Sequence, residues 1–181
     1  YAELKNVLPQ PGSLLVVCGK GNNGGDGFVI ARAAAKEGWN VTAPLAEGEP
    51  KTTDAITNFE RLHSLSVNIC ADCTVLETQH FDVVVDALYG TGFHGALRPS
   101  GLAACGLMNR LHKSGAFVLA VDLPSGINTD TGEVAEGAAH ADLTVTFDSY
   151  KPLHVAESSA PLCGKIVCSD IGIRDEWHPE F

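Results

Sequence analysis

Apolar runs recur along the chain at spacings too wide for hairpins and suited to alternating strands and helices. Ser13 to Cys18, SLLVVC, is a short aliphatic run that stops at glycine, the pattern of a strand buried on both faces. From Asp26 to Glu37 the period changes, and DGFVIARAAAKE places Phe28, Ile30, Ala31, Ala34 and Ala35 on one stripe ahead of a stop at Gly38. A second strand is expected over Asn40 to Ala46. A second helix follows over Thr53 to Leu65, with Ile56, Phe59, Leu62 and His63 inward, and then a short strand from Val67 to Cys70. Phe81 to Asp86 and Gly115 to Asp122 repeat the buried-strand pattern on either side of a helix from about Gly101 to Lys113. Ala141 to Phe147 and Lys165 to Cys168 complete the series. Strands and helices alternating at these lengths predict a Rossmann-like three-layer α/β/α sandwich with a mostly parallel sheet.

A chain of 181 residues, 45% of them apolar, suffices for one core and is short for two, so residues 1–181 are read as a single domain. Tyr1 to Pro9 reads as the remainder of a helix, which suggests a truncated N-terminus. Twelve Lys plus Arg against 22 Asp plus Glu give a net charge of -10 with the cations scattered, which opposes binding to nucleic acid or to an anionic membrane. Any phosphate is then expected to rest mainly on backbone N–H groups. No run reaches the roughly 18 apolar residues of a membrane span, and no signal peptide is visible, so the chain reads as soluble and cytoplasmic. Six cysteines are too sparse for a disulfide scaffold and are read as free, mostly buried thiols. Cys70 and Cys73 have zinc-ribbon spacing, but Cys163 and Cys168 are no matching pair.

In open parallel sheets ligands bind beyond the carboxyl ends of the strands, and three predicted strands deliver polar, glycine-rich loops there. The first, Gly19 to Gly27, is GKGNNGGDG and contains a G-x-G-x-x-G spacing. A dinucleotide fingerprint also wants an acid after the second strand, where only Glu47 is available, so an ordinary NAD-dependent oxidoreductase fits poorly. Asn22, Asn23 and Asp26 instead put oxygens inside the loop, unless Asp26 merely caps the helix. The second loop runs from Asp86 through Tyr89, Gly90, Thr91, Gly92, Phe93, His94, Gly95 and Ala96; the third is Asp122-Leu123-Pro124-Ser125-Gly126. Asp86 and Asp122 each end a strand, where a carboxylate can accept backbone N–H groups, act as a general acid or base, or ligate a cation. Ser125 lacks a G-x-S-x-G elbow, because position 123 is Leu, and His94, His140 and His154 read as surface or capping residues.

With these loops in view the chain resembles the NAD(P)H-hydrate epimerase family, the YjeF N-terminal domain. The matching segments are Gly19-x-Gly21-Asn22-Asn23-Gly24-Gly25-Asp26-Gly27, Val85-Asp86-Ala87-Leu88-x-Gly90-Thr91-Gly92, Asp122-Leu123-Pro124-Ser125-Gly126, and Ala141 to Phe147 with Lys151-Pro152. The resemblance implies an isomerase that interconverts the R and S forms of hydrated NADH and NADPH for a nucleotide-dependent dehydratase, which in bacterial relatives often follows on the same chain near Trp177 to Phe181. It implies that Asn22, Asn23, Gly24, Gly25, Asp26, Gly90, Thr91, Gly92, Phe93, His94, Gly95, Ala96 and Asp122 hold the substrate. It further implies Asp122 as the acid/base, and a potassium ion on Asn23, Asp86 and Ser125. A homodimer or higher oligomer is expected. The competing reading is a non-catalytic nucleotide- or protein-binding module of the same fold.

Overall fold

A computed structural model describes residues 1–172; the segment from Trp177 to Phe181 lies outside them. The chain opens with α1 (Ala2–Val7) and then alternates: β1 (Ser13–Cys18), α2 (Asn22–Lys36), β2 (Asn40–Pro44), α3 (Thr53–Glu60), β3 (Val67–Cys70) and β4 (Val83–Ala87). After these come α4 (Pro99–Lys113), β5 (Phe117–Val121), β6 (Leu143–Phe147), α5 (Ala160–Cys163) and β7 (Lys165–Ser169). Among the described residues seven strands form one parallel sheet, in the order β3-β2-β1-β4-β5-β6-β7.

The aliphatic runs become strands because both faces are covered. Leu14, Val16 and Cys18 of β1 face the layer of α1, α2 and α3, while Leu15 and Val17 face α4. Period-two alternation thus feeds two apolar cores from one continuous hydrophobic run. The crystal-like density of such cores is served here by residues such as Phe28, Leu14, Leu15 and Met108, each wholly buried.

Three elements differ from the sequence expectation. The second helix ends at Glu60, with Leu62 reached through the following turn; Ala55, Phe59 and Leu62 face inward, while Ile56 and His63 are exposed. The second strand stops at Pro44. The most consequential difference is that α2 begins at Asn22, four residues early, so that the whole Asn-Asn-Gly-Gly stretch lies in its first turns. Glycine in a helix costs about 1 kcal/mol against alanine. Here close packing offsets it: a Cβ on Gly24 would stand 1.8 Å from the Gly19 carbonyl oxygen, and one on Gly25 3.1 Å from the Ala55 Cα.

Chain order sets the position of the crevice. From β1 the chain steps outward to β2 and β3, then returns to lay β4 on the other side of β1, with Val17 beside Asp86. The loops after β1 and β4 therefore leave in opposite directions from adjacent strands, the switch point at which doubly wound sheets bind ligands.

Candidate functional site

A crevice of about 570 Å³ opens at this switch point. One wall is the start of α2, where Gly21 is the N-cap and the first intrahelical bond runs from Gly25 N–H to Gly21 C=O. The N–H groups ahead of Gly25 are therefore available to an anion, and the helix dipole adds to their pull. Asn22, Asn23 and Asp26 line this wall; Gly90, Thr91, Gly92, Phe93, His94 and Ala96 form the opposite one, and Asp122 stands at its base with Phe147. Gly24 and Gly25 are buried behind the helix start, and Gly95, at φ +77, is exposed and off the wall.

Lys20 and Arg98 carry no signal in the sequence, whereas Tyr89 falls in the second loop and Glu47 is the lone acid after the second strand. Lys20, Glu47, Tyr89 and Arg98 also line the crevice. Tyr89 donates its hydroxyl to Glu47 Oε1 at 2.8 Å, and Lys20 Nζ lies 3.5 Å from Glu47 Oε2. Glu47, a weak candidate by sequence, thus stands in the crevice after β2. Lys20 and Arg98 are the cations among the crevice residues, set against the carboxylates of Asp26, Glu47 and Asp122, with Lys20 paired to Glu47. The rings of Tyr89 and Phe93, 5.1 Å apart, make an apolar patch beside them.

Asp86 and Ser125 lie beneath the crevice, both completely buried. Ser125 donates to Asp86 through its main-chain N–H at 2.7 Å and its hydroxyl at 2.6 Å, and Leu88 N–H adds a third bond at 3.2 Å. Tyr89 N–H donates to Ser125 Oγ at 3.0 Å, and Asn23 Nδ2 donates to Tyr89 C=O at 2.9 Å. The backbone of Tyr89 therefore ties Asn23 to Ser125 and Asp86, and fixing the Asn23 amide in this way leaves its carbonyl Oδ1 as an acceptor. Burial pushes the Asp86 carboxyl up to about 6 even though its three donors pull it down. Asp86 is thus a carboxylate with the Ser125 hydroxyl 2.6 Å away and the Asn23 amide tied to both through Tyr89, an all-oxygen set of a kind that suits a hard cation. Among the described residues no cluster of three or more His, Cys, Asp or Glu could hold a metal. All six cysteines are free, with Cys18, Cys73, Cys105 and Cys163 buried.

Asp122 has a left-handed backbone, φ +68. Such a conformation costs a residue with a Cβ about 1–3 kcal/mol unless its surroundings hold it. The Asp122 N–H donates to the Val145 carbonyl at 2.8 Å, and four accepted hydrogen bonds complete the hold. Thr146 Oγ1 at 2.9 Å, Phe147 N–H at 3.3 Å and Lys151 Nζ at 2.5 Å all donate to Asp122 Oδ1, while His154 Nε2 donates to the Asp122 main-chain carbonyl at 3.0 Å. His154 is buried rather than on the surface, and its Nδ1 accepts the Lys151 N–H at 3.0 Å, so it also caps the turn as expected. Across the crevice, desolvation and then the charge of Asp122 push the Asp26 carboxyl upward.

A profile of the family described as "YjeF-related protein N-terminus" matches residues 2–153. The chain belongs to this family. Among curated relatives, a "Bifunctional NAD(P)H-hydrate repair enzyme" of Methanothermobacter thermautotrophicus is 39% identical over 182 residues, covering 94% of this chain and 34% of its own length. One of the same name from Pyrobaculum aerophilum is 40% identical, covering 97% of this chain and 36% of its own length. This YjeF-type chain spans about a third of the length of these relatives. The crystal structure of yeast ynu0 superposes with a TM-score of 0.73 at 21% identity, over 87% of this chain and 71% of that one, and establishes the shared fold.

Proposed function

We propose that the chain is an NAD(P)H-hydrate epimerase, an isomerase interconverting the R and S forms of hydrated NADH and NADPH. Family membership and the printed names of the relatives support the reading. The observation that carries it to a reaction is the buried, fourfold-held Asp122 at the base of a crevice whose wall is a helix N-terminus. The helix N–H groups, with Lys20 and Arg98, take the pyrophosphate, and the loop from Gly90 to Ala96 closes over the ring. The hydrated carbon bears a ring nitrogen and a hydroxyl. Its configuration is lost when the ring opens or when hydroxide departs, and both routes move a proton to or from the hydroxyl oxygen. Asp122 is the carboxylate placed to move it. Asn23, Asp86 and Ser125 would hold a potassium ion, which when bound supplies positive charge against the buried Asp86 carboxylate and ties the three loops together. The chain's share of the bifunctional relatives supports a dehydratase as working partner, on the same chain or a separate one. Six free thiols support a cytoplasmic setting.

The test supplies racemic NADH-hydrate in potassium buffer with an S-specific dehydratase and its nucleotide, and follows the return of reduced-nicotinamide absorbance. Rapid recovery of both epimers by wild type, lost in Asp122→Asn at unchanged Tm, is the expected result. Rapid recovery of only half the hydrate by the folded wild type would replace this reading with a binding module. Near-normal turnover in Asp122→Asn would remove Asp122 from the chemistry.

A further inference from the structure

The three donors to the Asp122 carboxylate converge on one of its oxygens. Lys151 is the charged member, and its ammonium group is saturated: Asp122 Oδ1, Thr146 Oγ1 at 2.7 Å and the Phe147 carbonyl at 2.9 Å take its three N–H bonds. Lys151 precedes Pro152, which disfavours a helical backbone at the lysine, and its observed φ of -97 and ψ of 160 are extended. The turn from Pro152 to His154 is then anchored from below by Leu153, fully buried against Leu123, Ile127 and Cys163. Leu123 directly follows Asp122, so one small apolar cluster holds both the turn and the loop it serves. His154 closes the arrangement, accepting the Lys151 N–H and donating to the Asp122 carbonyl. Burial pushes its pKa down, in keeping with the neutral ring that these two bonds require.

We propose that Lys151 and His154 are positioning residues of the reaction, gripping Asp122 at Oδ1 and at its main-chain carbonyl so that Oδ2 is the oxygen presented to the substrate. The inference rests on the epimerase reading of the same crevice. If the ring opens, an O–H bond forms at Oδ2 as the substrate O–H breaks, the O–H pair becoming the carbonyl bond as the C–N bond breaks. If hydroxide departs, Oδ2 gives its proton to the hydroxyl as the C–O bond breaks with the ring-nitrogen pair forming C=N, and each step runs in reverse when the proton returns. Lys151 keeps its proton throughout. With its carboxylate fixed at one oxygen and its strained backbone held at the carbonyl, Asp122 needs no rotamer search before each transfer, which is the structural basis of orientation effects on rate.

The decisive variant is Lys151→Met, which keeps the length of the side chain and removes the ammonium group. Three quantities are measured on the full chain: epimerisation kinetics, affinity for NAD⁺ by calorimetry, and the Asp122 carboxyl ¹³C resonance in aspartate-labelled protein, assigned with Asp122→Asn. The expected result is a kcat lower by about 100-fold, the size of penalty that misplacement by about 1 Å brings, with KM and NAD⁺ affinity held and the resonance shifted. His154→Phe, which keeps a ring and loses both bonds, should repeat the kcat loss. A kcat near the wild-type value in Lys151→Met overturns the proposal. So does a kcat loss matched by equal losses in NAD⁺ affinity and Tm, since that is a general structural defect. If the wild type binds NAD⁺ but never converts the hydrate, the epimerase reading fails, and the resonance alone decides the clamp: a carboxyl signal unmoved by Lys151→Met overturns it.

Discussion

Replacing Asp86 by Asn should change how the stability of this protein depends on pH, by an amount that the structure fixes. Asp86 is 0% exposed, and its carboxyl is raised from 3.8 to about 6 because burial outweighs three donated hydrogen bonds. A raised acid pKa means that the folded state holds the proton more tightly than the unfolded chain. The resulting stabilisation is complete below pH 3.8 and is lost as pH rises through about 6. A shift of about two pH units at about 1.36 kcal/mol per unit amounts to about 3 kcal/mol. Asp72 and Asp82 have lowered values and titrate in the opposite sense, but they are common to both proteins. The assay is urea unfolding of wild type and Asp86→Asn at intervals from pH 4 to pH 7, in tetramethylammonium buffer free of alkali cations. The stability of wild type minus that of the variant should fall by about 2.4 kcal/mol across this range, the rest of the loss lying below pH 4. The constant cost of placing an amide opposite the Ser125 N–H leaves that slope untouched. A flat difference would refute the reasoning, and a rising one would mean that the donors from Ser125 and Leu88 outweigh burial.

Three further outcomes are expected. Potassium added to cation-free protein at pH 7.5 should raise Tm beyond the effect of equal tetramethylammonium chloride, the added stability reaching about 2.7 kcal/mol at one hundred times its Kd; Asp86→Asn should abolish the difference, and equal Tm values in the two salts would remove the ion from the site. Gly24→Ala should destabilise by about 1–3 kcal/mol and weaken NAD⁺ binding, because its Cβ meets the Gly19 carbonyl. Gly106→Ala, an exposed α4 position with nothing within 4 Å of the added Cβ, should stabilise by about 0.5–1 kcal/mol in the same urea assay.

What the sequence determined by itself is local periodicity. A run such as Leu14 to Cys18 can bury both faces only as an inner strand, and Phe28, Ala31 and Ala34 form one face only on a helix. The layered parallel architecture follows from those two patterns, and the loops beyond the strands mark the edge where a ligand binds. Tertiary structure decided what depends on distant parts of the chain. Asn22 to Gly25 read as loop because glycine disfavours helix, yet the close approach of Gly19 and Ala55 gives that stretch a reason to be helical. Ile56 has the right residue type and spacing for a core position but lies on the open side of a short helix. Glu47 and Asp122, 75 positions apart in the chain, share one crevice only because β4 returns beside β1. His154 caps the Lys151 N–H close by in the chain, but its second partner is a carbonyl 32 residues away, brought within 3.0 Å when β5 and β6 pair. Hydrophobic period is written in adjacent residues and survives as sequence, whereas the grip on Asp122 is a product of strand order and register, which exists only once the sheet has formed.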